Sequence, residues 1–477
     1  MAKQRTLIVL SIPFLRCARV LLAPPLLMAL RGPVELAVVA PEGSEKLLRP
    51  VLEKHGIAAE FITWRPAASG WIGRILLGIS ELMRVNGYFF RHRRVLPHYW
   101  KTLSEQLGDE GQDSRKPLSS RVVAWLTGVF GAVPGLWWGM ETLAVKATSL
   151  GRLSELDRRL ESAGYVRLIQ CANWGKQDRL LRRWAARLGV RKVLIPYTTD
   201  QFWVNGYLPP DYAVVCPQGA FEQKCLTGLQ EIGSARIERL GNLWFRYAAS
   251  LHAESDHGGT TAIVYAGVSE PYFPKSSEIA ALEVLHAAKA EGIFGDCRLL
   301  YRPYARSDSE RDAITERVVH LQGLELQWPQ KASSGFEFAS TVPFEEDLRD
   351  YVSQLAGCAV MVMSHTTTLG MDASFLGSGV VSNFWDPSGA MERRSSPLRF
   401  NAEGRFDWWP ELPVVHDAAT LVEETRRQLL DPAARENVRA GLLREWDFDP
   451  PDLPVRLARV LFGDNAETPH SREVLST

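Results

Sequence analysis

The chain has 477 residues, of which 46% are hydrophobic and 23% charged, and its 55 Lys and Arg residues balance 55 Asp and Glu residues. This length and composition predict a globular protein of two or three domains, and the balanced charge argues against nucleic acid as a main partner. The six cysteines include no Cys-x-x-Cys pair, so the sequence predicts neither a zinc site nor a disulfide framework.

The first part of the chain alternates short apolar strands with helices. Strands are predicted at 5–11, 34–39 and 59–64, and we expect Pro24-Pro25 to kink or break the helical segment after the first strand. Arg16 and Arg19 interrupt the apolar start, which favours a buried strand over a signal peptide and makes the cytoplasm the expected location. The alternation predicts a parallel sheet with right-handed crossovers.

A segment from about residue 67 to 149 interrupts this alternation. Within it, Val122–Met140 carries no charge and matches a membrane span in length, but it contains four glycines and Pro134. Three interpretations stay open: a span, a monotopic helical hairpin, or ordinary buried helices. The aromatic and basic cluster at 88–94 suits an anionic membrane surface. We therefore predict a mostly helical insertion that contacts a membrane or a lipid-linked acceptor, with a mobile polar loop at 108–120.

The alternation resumes after the insertion and again after a polar linker at 250–260. A strand from Ala262 ends in Gly267 and Ser269, which makes a candidate phosphate loop. The strand at 297–301 runs into Arg302 and Tyr304. The sequence contains no evident internal repeat, so the two halves are expected to be copies in architecture only.

A cluster of hydroxyl side chains follows the apolar strand Ala359–Met363. It reads Ser364-His365-Thr366-Thr367-Thr368, and a helix and the strand that begins at Val380 come after it. The cluster therefore lies at the carboxyl end of one strand and the amino end of a helix. Open α/β sheets bind ligands there, and free backbone N–H groups attract phosphate. Ordinary helix capping is the alternative explanation for such hydroxyls.

This stretch resembles the nucleotide-binding segment of GT-B glycosyltransferases, and more narrowly the surface-polysaccharide and glycerophosphotransferase-like branch. The resemblance rests on Ser364, Thr366, Thr367 and Asp372, followed by Gly377 and the Val380 strand. It implies an α/β protein with a GT-B-like fold: two Rossmann-like parallel-sheet domains facing a central cleft, with a helical insertion in the first. In that branch the turn grips the donor phosphates and the acidic residue lies near the donor ribose or sugar.

The resemblance also implies domain boundaries. We predict an acceptor domain at 1–249 that contains the insertion, the linker at 250–260, a nucleotide-sugar donor domain at 261–445, and a carboxy-terminal helix and tail at 446–477 that cross back to the first domain. Tyr304 stands where the resembling branch commonly has His, which departs from its usual grip on a CMP- or CDP-type donor.

The implied function is a glycosyltransferase that moves a sugar, or a sugar-phosphate unit, from a nucleotide-activated donor to a cell-surface glycan or lipid-linked acceptor. It needs no metal and no cofactor, because helix N-termini, hydroxyls and a basic side chain neutralise the leaving diphosphate. We expect a cytoplasmic protein, peripheral on the inner face of the membrane. The candidate donor-binding residues are Gly267, Ser269, Arg302, Tyr304, Ser364, Thr366, Thr367, Thr368 and Asp372.

The catalytic base is harder to assign from the sequence. Asp200 and Glu42 each follow a strand of the first domain, where the base of an inverting enzyme is expected. A solvated loop carboxylate or a helix cap is the alternative explanation for each, and the commoner one. His365 is a candidate contact to donor phosphate, and a core or capping histidine is the alternative. Two other functions stay open: a sugar-nucleotide epimerase on the same fold, and a catalytically inactive scaffold of an envelope polysaccharide complex.

Overall fold

The structure is a computed structural model of the chain. It describes residues 5–31, 34–63, 70–93, 118–133, 135–147, 156–159, 163–172, 176–199, 201–253, 261–268, 273–305, 307–328, 345–365, 367–389, 409–448, 450 and 452–463. The chain divides into two compact units. The first unit comprises Met1–Tyr247, Thr341–Phe344 and Asp447–Thr477, and the second comprises Ala248–Ser340 and Glu345–Trp446.

The first unit is built on a parallel sheet. Among the described residues this sheet has six strands in the order β3-β2-β1-β4-β5-β6. The strands are β1 (Arg5–Ser11), β2 (Val34–Ala40), β3 (Ala59–Thr63), β4 (Ala163–Gln170), β5 (Arg191–Leu194) and β6 (Val214–Val215). Alternate residues of β1 pack on opposite faces of the sheet, because successive side chains of a strand point to opposite sides. Ile8 and Leu10 belong to one buried cluster and Leu7 and Val9 to another.

Helices cover both faces of this sheet. They are α1 (Ala18–Leu21), α2 (Pro24–Ala29), α3 (Glu45–Lys54), α4 (Trp71–Arg91), α5 (Leu118–Gly131), α6 (Leu136–Lys146), α7 (Lys176–Arg187), α8 (Gln201–Val204), α9 (Ala220–Gly228), α10 (Leu243–Ala253), which runs across the boundary between the units, and α17 (Leu453–Phe462). The expected break at Pro24-Pro25 is confirmed, since α1 ends at Leu21 and Pro24 begins the separate helix α2. Proline suits the first turn of a helix because the N–H that it lacks would have no partner there.

The insertion consists of α4, α5 and α6, as far as its residues are described. Gly87 of α4 and Gly131 of α5 meet backbone to backbone, so that a side chain at either position would collide with the other helix. Considering only the described residues, no single helix is long and apolar enough to cross a bilayer. The α5–α6 pair reaches that length and apolarity together, but it is bent by 105°. The predicted mobile loop at 108–120 lies outside the described residues except for 118–120.

A buried network of charges joins the insertion to helix α7. Glu141 of α6 is fully buried and accepts a hydrogen bond from Arg182 of α7. Arg179 and Arg183 of the same helix lie 3.4 Å and 3.7 Å from its carboxylate. Arg182 also donates to Asp211, at 2.9 Å. A buried carboxylate is tolerated only when cations and hydrogen-bond donors surround it in this way.

The second unit has a sheet of the same kind. Its six strands, counted within the described residues, follow the order β12-β11-β10-β7-β8-β9. They are β7 (Ala262–Ala266), β8 (Arg298–Arg302), β9 (Leu324–Leu326), β10 (Cys358–Ser364), β11 (Gly379–Asn383) and β12 (Val414–Val415). The helices are α11 (Lys275–Ala290), α12 (Asp308–Val318), α13 (Glu345–Ala356), α14 (Thr368–Phe375), α15 (Ala418–Leu430) and α16 (Pro432–Glu445).

Both sheets have the doubly wound Rossmann topology. Numbered along the chain, the strands of each unit run 3-2-1-4-5-6, and every pairing between named strands is parallel. In this topology the strand order reverses between the first and fourth strands, and ligands bind in the crevice outside the carboxyl ends at that point. The predicted class, an α/β protein with two Rossmann-like parallel-sheet domains, is confirmed. The central cleft between the domains stays a prediction.

Candidate functional site

The order of the second sheet reverses between β7 and β10. The carboxyl ends of these neighbouring strands are Ala266 and Ser364. The predicted donor residues that the structure describes lie at or after the carboxyl ends of β7, β8 and β10, except Asp372, which lies further along α14. The backbone topology therefore brings Gly267, Arg302 and the turn after β10 to one edge of one sheet.

The turn after β7 is shaped by a buried ion pair. Glu278 of α11 is fully buried; its Oε1 accepts from the Val268 N–H at 2.8 Å, and its Oε2 accepts from Lys275 Nζ at 2.8 Å. Tyr301 also donates to Oε2, at 2.6 Å. A Cβ on Gly267 would lie 2.5 Å from that oxygen. Glycine is thus required here because the backbone passes directly over a buried carboxylate.

Ser364 does not face the open edge of the sheet. It is fully buried and donates to the hydroxyl of Tyr265 at 2.9 Å, and Asn383 donates to the same hydroxyl at 3.0 Å. Burial raises the pKa of Tyr265 well above its usual value, so the phenol stays protonated. The prediction that Ser364 binds the donor is corrected, because the last residue of β10 turns its side chain into the sheet interior.

His365 has an unusual backbone conformation at the reversal point. Its φ is +53°, in the left-handed region, and its N–H donates to the Asn383 carbonyl at 2.9 Å. Non-glycine residues in this region cost about 1–3 kcal/mol and gather at functional sites, where the surroundings enforce the conformation. The imidazole lies 6.1 Å from the Phe384 ring, measured between centroids. This strained residue is the strongest local indication that the turn after β10 has a function.

The helix after the turn presents its amino terminus at the same edge. Thr367 is the N-cap of α14 and is half-buried, and Thr368 is exposed in the first turn. Gly370 packs directly on Met363 of β10, so a side chain there would collide with the methionine sulfur. Close helix–strand packing of this kind holds the first N–H groups of α14 at the end of β10, where they can bind an anion.

Arg302 is held in place rather than pointing freely into solvent. Its guanidinium donates to Gln354 Oε1 at 2.9 Å, lies 3.5 Å from Gln327 Oε1, and is 5.8 Å from the centroid of the Tyr351 ring. Burial lowers the pKa of the guanidinium from its usual value, although the group remains charged near neutral pH. Tyr304 follows two residues later and is half-buried.

Asp372 is not part of this edge. It is 2% exposed, and its Oδ2 accepts a hydrogen bond from the hydroxyl of Tyr351. The prediction that it reaches the donor ribose or sugar is corrected, because this position of α14 faces inward toward α13. Its contact with Tyr351, above which Arg302 lies, gives it a supporting place in the structure.

Four predicted residues remain to be placed. Asp200, Ser269 and Thr366 lie outside the described residues. Glu42 is exposed in the turn after β2, in the first unit. Among the described residues there is no group of three or more His, Cys, Asp or Glu side chains arranged to hold a metal ion. The absence of a metal requirement stays a prediction.

The first unit contains a buried carboxyl group that the sequence did not identify as a candidate site residue. Asp178 of α7 is 1% exposed and accepts a hydrogen bond from Ser11 at 2.7 Å and one from Gln170 at 3.0 Å. Ser11 ends β1 and Gln170 ends β4, the two strands between which the order of the first sheet reverses. In the sequence, Asp178 looks like an ordinary acidic residue in a first helical turn. Only the pairing of β1 with β4 reveals its place.

Comparison with known proteins finds similarity in structure only. No family model and no curated protein matches the chain. A putative UDP-N-acetylglucosamine 2-epimerase from Listeria monocytogenes aligns with 98% of this chain and 96% of its own, at a TM-score of 0.48 and 10% identity. A glycosyltransferase from Rickettsia africae aligns over 100% of both chains, at a TM-score of 0.46 and 9% identity.

MurG from Acinetobacter baumannii covers 93% of this chain and 96% of its own, at a TM-score of 0.39 and 10% identity. These are proteins of the GT-B fold. They include glycosyltransferases and epimerases, and similarity at this level does not choose between the two activities. The assignment of two Rossmann-like domains rests on the strand orders, and the narrower surface-polysaccharide branch stays a prediction.

Proposed function

We propose that the protein is a metal-independent glycosyltransferase. It moves a sugar, or a sugar-phosphate unit, from a nucleotide-activated donor to a cell-surface glycan or lipid-linked acceptor. The observation that carries the proposal is the strained turn at His365, at the reversal point of the second sheet and directly before the amino terminus of α14. A donor diphosphate is the ligand whose charge suits this edge.

The chemistry requires stabilisation of the leaving nucleotide. Backbone N–H groups at the start of α14 and the exposed Thr368 hydroxyl supply neutral donors. Arg302, at the end of β8 on the same edge, supplies a fixed positive charge. Hydrogen bonds from fixed donors to a developing phosphate charge lower the barrier without reorganisation during the reaction. His365 is proposed to contact phosphate, while Gly267 keeps the β7 turn close to the sheet.

The insertion supports an acceptor at a membrane surface. Its three helices expose apolar side chains that include Trp71 (67% exposed), Trp125 (55%) and Leu143 (56%), together with Ile75 and Phe130. Monomeric soluble proteins rarely leave so many large apolar groups exposed on adjacent helices. Tryptophans beside aliphatic side chains are typical of groups that enter the boundary between lipid headgroups and acyl chains.

The charges of the insertion favour an anionic membrane. In its described residues the only acidic side chains are Glu81 and Glu141, and both are bound by arginines. Basic side chains that reach solvent include Arg74, Arg93 and Lys146. An apolar face with exposed basic residues, and with no free acidic residue in its described part, complements a bilayer that contains anionic lipid.

The donor proposal is tested by thermal shift with UDP-, CMP- and GDP-linked sugars. We expect one nucleotide class to raise the melting temperature, because a ligand that binds only the folded state stabilises it. Nuclear magnetic resonance of the stabilising donor, incubated with the protein alone, then separates the activities. An epimerase changes the sugar without an acceptor, whereas a transferase leaves it intact or slowly hydrolyses it. No shift with any donor would favour the scaffold.

The membrane proposal is tested by sedimentation with phosphatidylcholine vesicles, with and without phosphatidylglycerol. We expect binding to the anionic vesicles at low salt, and loss of binding in Trp125→Glu. Val319→Glu is the matched control, since Val319 is a large apolar side chain that is 77% exposed but lies in the second unit. Equal binding of both variants would show that the insertion is not the contact.

A further inference from the structure

The first sheet has a reversal point of its own, between β1 and β4. Ser11 and Gln170 are register partners there and are both fully buried. Their side chains converge on Asp178 Oδ1, and Gln170 also donates to the Asp178 backbone carbonyl at 3.1 Å. Two strand ends and the first turn of α7 therefore fix one carboxyl group in a single orientation.

The other oxygen of this carboxyl has no partner. Among the described residues, Asp178 Oδ2 is buried and accepts no hydrogen bond. Leaving a buried acceptor unsatisfied costs about 1–3 kcal/mol, and more when the acceptor is charged. Stability alone would not favour this arrangement, since a neutral or apolar side chain would avoid the cost. A ligand that donates to Oδ2 would remove it.

Two more buried polar atoms, on segments that follow β4 and β5, also lack a hydrogen-bond partner among the described residues. Within the described residues, neither Gln177 Nε2, beside Asp178 in the chain, nor Thr198 Oγ1 has a hydrogen-bond partner. Thr198 follows β5, which pairs with β4, so both residues belong to the carboxyl edge of the first sheet. An amide donor, a hydroxyl and a carboxyl acceptor together match a ligand that carries several hydroxyl groups.

The surroundings of Asp178 allow it to exchange a proton near neutral pH. Burial raises the pKa of Asp178 to about 7, against the opposing effects of the Ser11 and Gln170 hydrogen bonds and the charge of Arg182. In the part of the chain that the structure describes, the other titratable neighbours of Asp178 are Cys171 after β4 and Tyr212 before β6. Burial raises the pKa of both well above their usual values, so neither competes for the proton.

We propose that the first unit binds a carbohydrate or polyol hydroxyl at the reversal point between β1 and β4, and that Asp178 accepts its proton. This inference rests on the proposed transferase function. As the acceptor oxygen forms its bond to the sugar, the bond from the sugar to the nucleotide phosphate breaks, and the phosphate leaves with the electron pair. The proton of the acceptor hydroxyl passes to the Asp178 carboxylate. Ser11 and Gln170 are positioning residues.

Asp178→Asn tests the proton transfer, because asparagine keeps an oxygen for Ser11 and Gln170 but cannot take up the proton. Transfer to a panel of octyl glycosides, followed as nucleotide release, should fall about 100-fold or more, the usual contribution of a general base. Nucleotide affinity should not change. Asp157→Asn is the control, since Asp157 binds Trp184 of the same helix at 2.7 Å. Transfer by Asp178→Asn at the wild-type rate would overturn the inference.

Two further measurements do not depend on that variant. Saturation-transfer resonance with methyl glycosides should detect binding to the wild-type protein; no signal with any glycoside would overturn the inference. Ser11→Ala removes a hydrogen bond to the charged carboxylate, so the midpoint of the pH–rate profile should move to higher pH. An unmoved midpoint would reduce Asp178 to a structural residue. If instead no nucleotide binds the protein, the proposed function itself fails.

Discussion

Replacing Arg302 with alanine should weaken nucleotide binding without unfolding the protein. A hydrogen bond to a charged group contributes about 1.5–3 kcal/mol, which corresponds to a rise in Kd of about 10- to 150-fold. The upper part of this range is expected, because Gln354 and the Tyr351 ring already hold the guanidinium and little side-chain freedom is lost on binding. The folded protein loses its contacts to two glutamine side chains, a cost of about 1–2 kcal/mol.

The assay is calorimetric titration of the nucleotide that gives the thermal shift, with a melt of each variant. Thr367→Val is the companion variant and should cost less, since it removes a neutral hydroxyl and keeps the shape. Gln354→Leu leaves the charge but removes the group that orients it, so its effect should fall between the two. Unchanged affinity in Arg302→Ala would mean that the donor site is misplaced. A collapsed melt would mean that Arg302 is structural.

Three further predictions concern stability. Gly267→Ala should lower the free energy of unfolding by about 1–3 kcal/mol, since the new methyl group meets a buried carboxylate. Gly228→Ala is the control and should leave that free energy unchanged, because its methyl group meets no atom within 4 Å. Equal denaturant midpoints for the two variants would contradict the prediction. Asp178→Asn should stabilise the protein at pH 8 but progressively less as the pH falls toward 4. The carboxyl binds its proton more tightly in the folded state, so wild-type stability declines between about pH 4 and 7 and then levels off; a gain in wild-type stability over that interval would refute the assignment. Glu141→Gln should cost about 3–5 kcal/mol by leaving buried arginines without their counter-charge, and a change below 1 kcal/mol would show that solvent reaches them.

Elements with strong local signals could be predicted from the sequence. The apolar run that forms β10, bounded by Gly357 and a hydroxyl cluster, was readable because a strand buried on both faces is continuously apolar. The strands β9 and β12 were missed, because they have only three and two residues and are partly exposed at the ends of the sheet. Such strands are defined by their neighbours rather than by their own sequence.

The sequence predicted where the candidate site lies in the fold, but not which way its side chains point. Strand–helix alternation located the turn after β10, whereas the inward positions of Ser364 and Asp372 depend on which face each element turns to the core. The pair of Lys275 and Glu278 has the spacing of an ordinary surface pair on a helix, and only the fold shows that both are buried. The place of Asp178 could not be predicted, because its two partners come together only when strands about 160 residues apart pair. No local sequence pattern contains that pairing.

The carboxy-terminal helix has a consequence for synthesis of the protein. Leu453, Leu457 and Leu461 of α17 are part of a buried cluster of the first unit. Along the chain, however, the residues of the second unit come between that helix and the rest of the first unit. At about 5–20 residues per second, a ribosome takes roughly 10–40 s to make residues 248–446. The amino-terminal sheet therefore emerges from the ribosome first, and one of its apolar faces lacks the covering leucines of α17 until that helix is made. The later-made second unit, whose own chain is nearly continuous, can complete its fold before the first does.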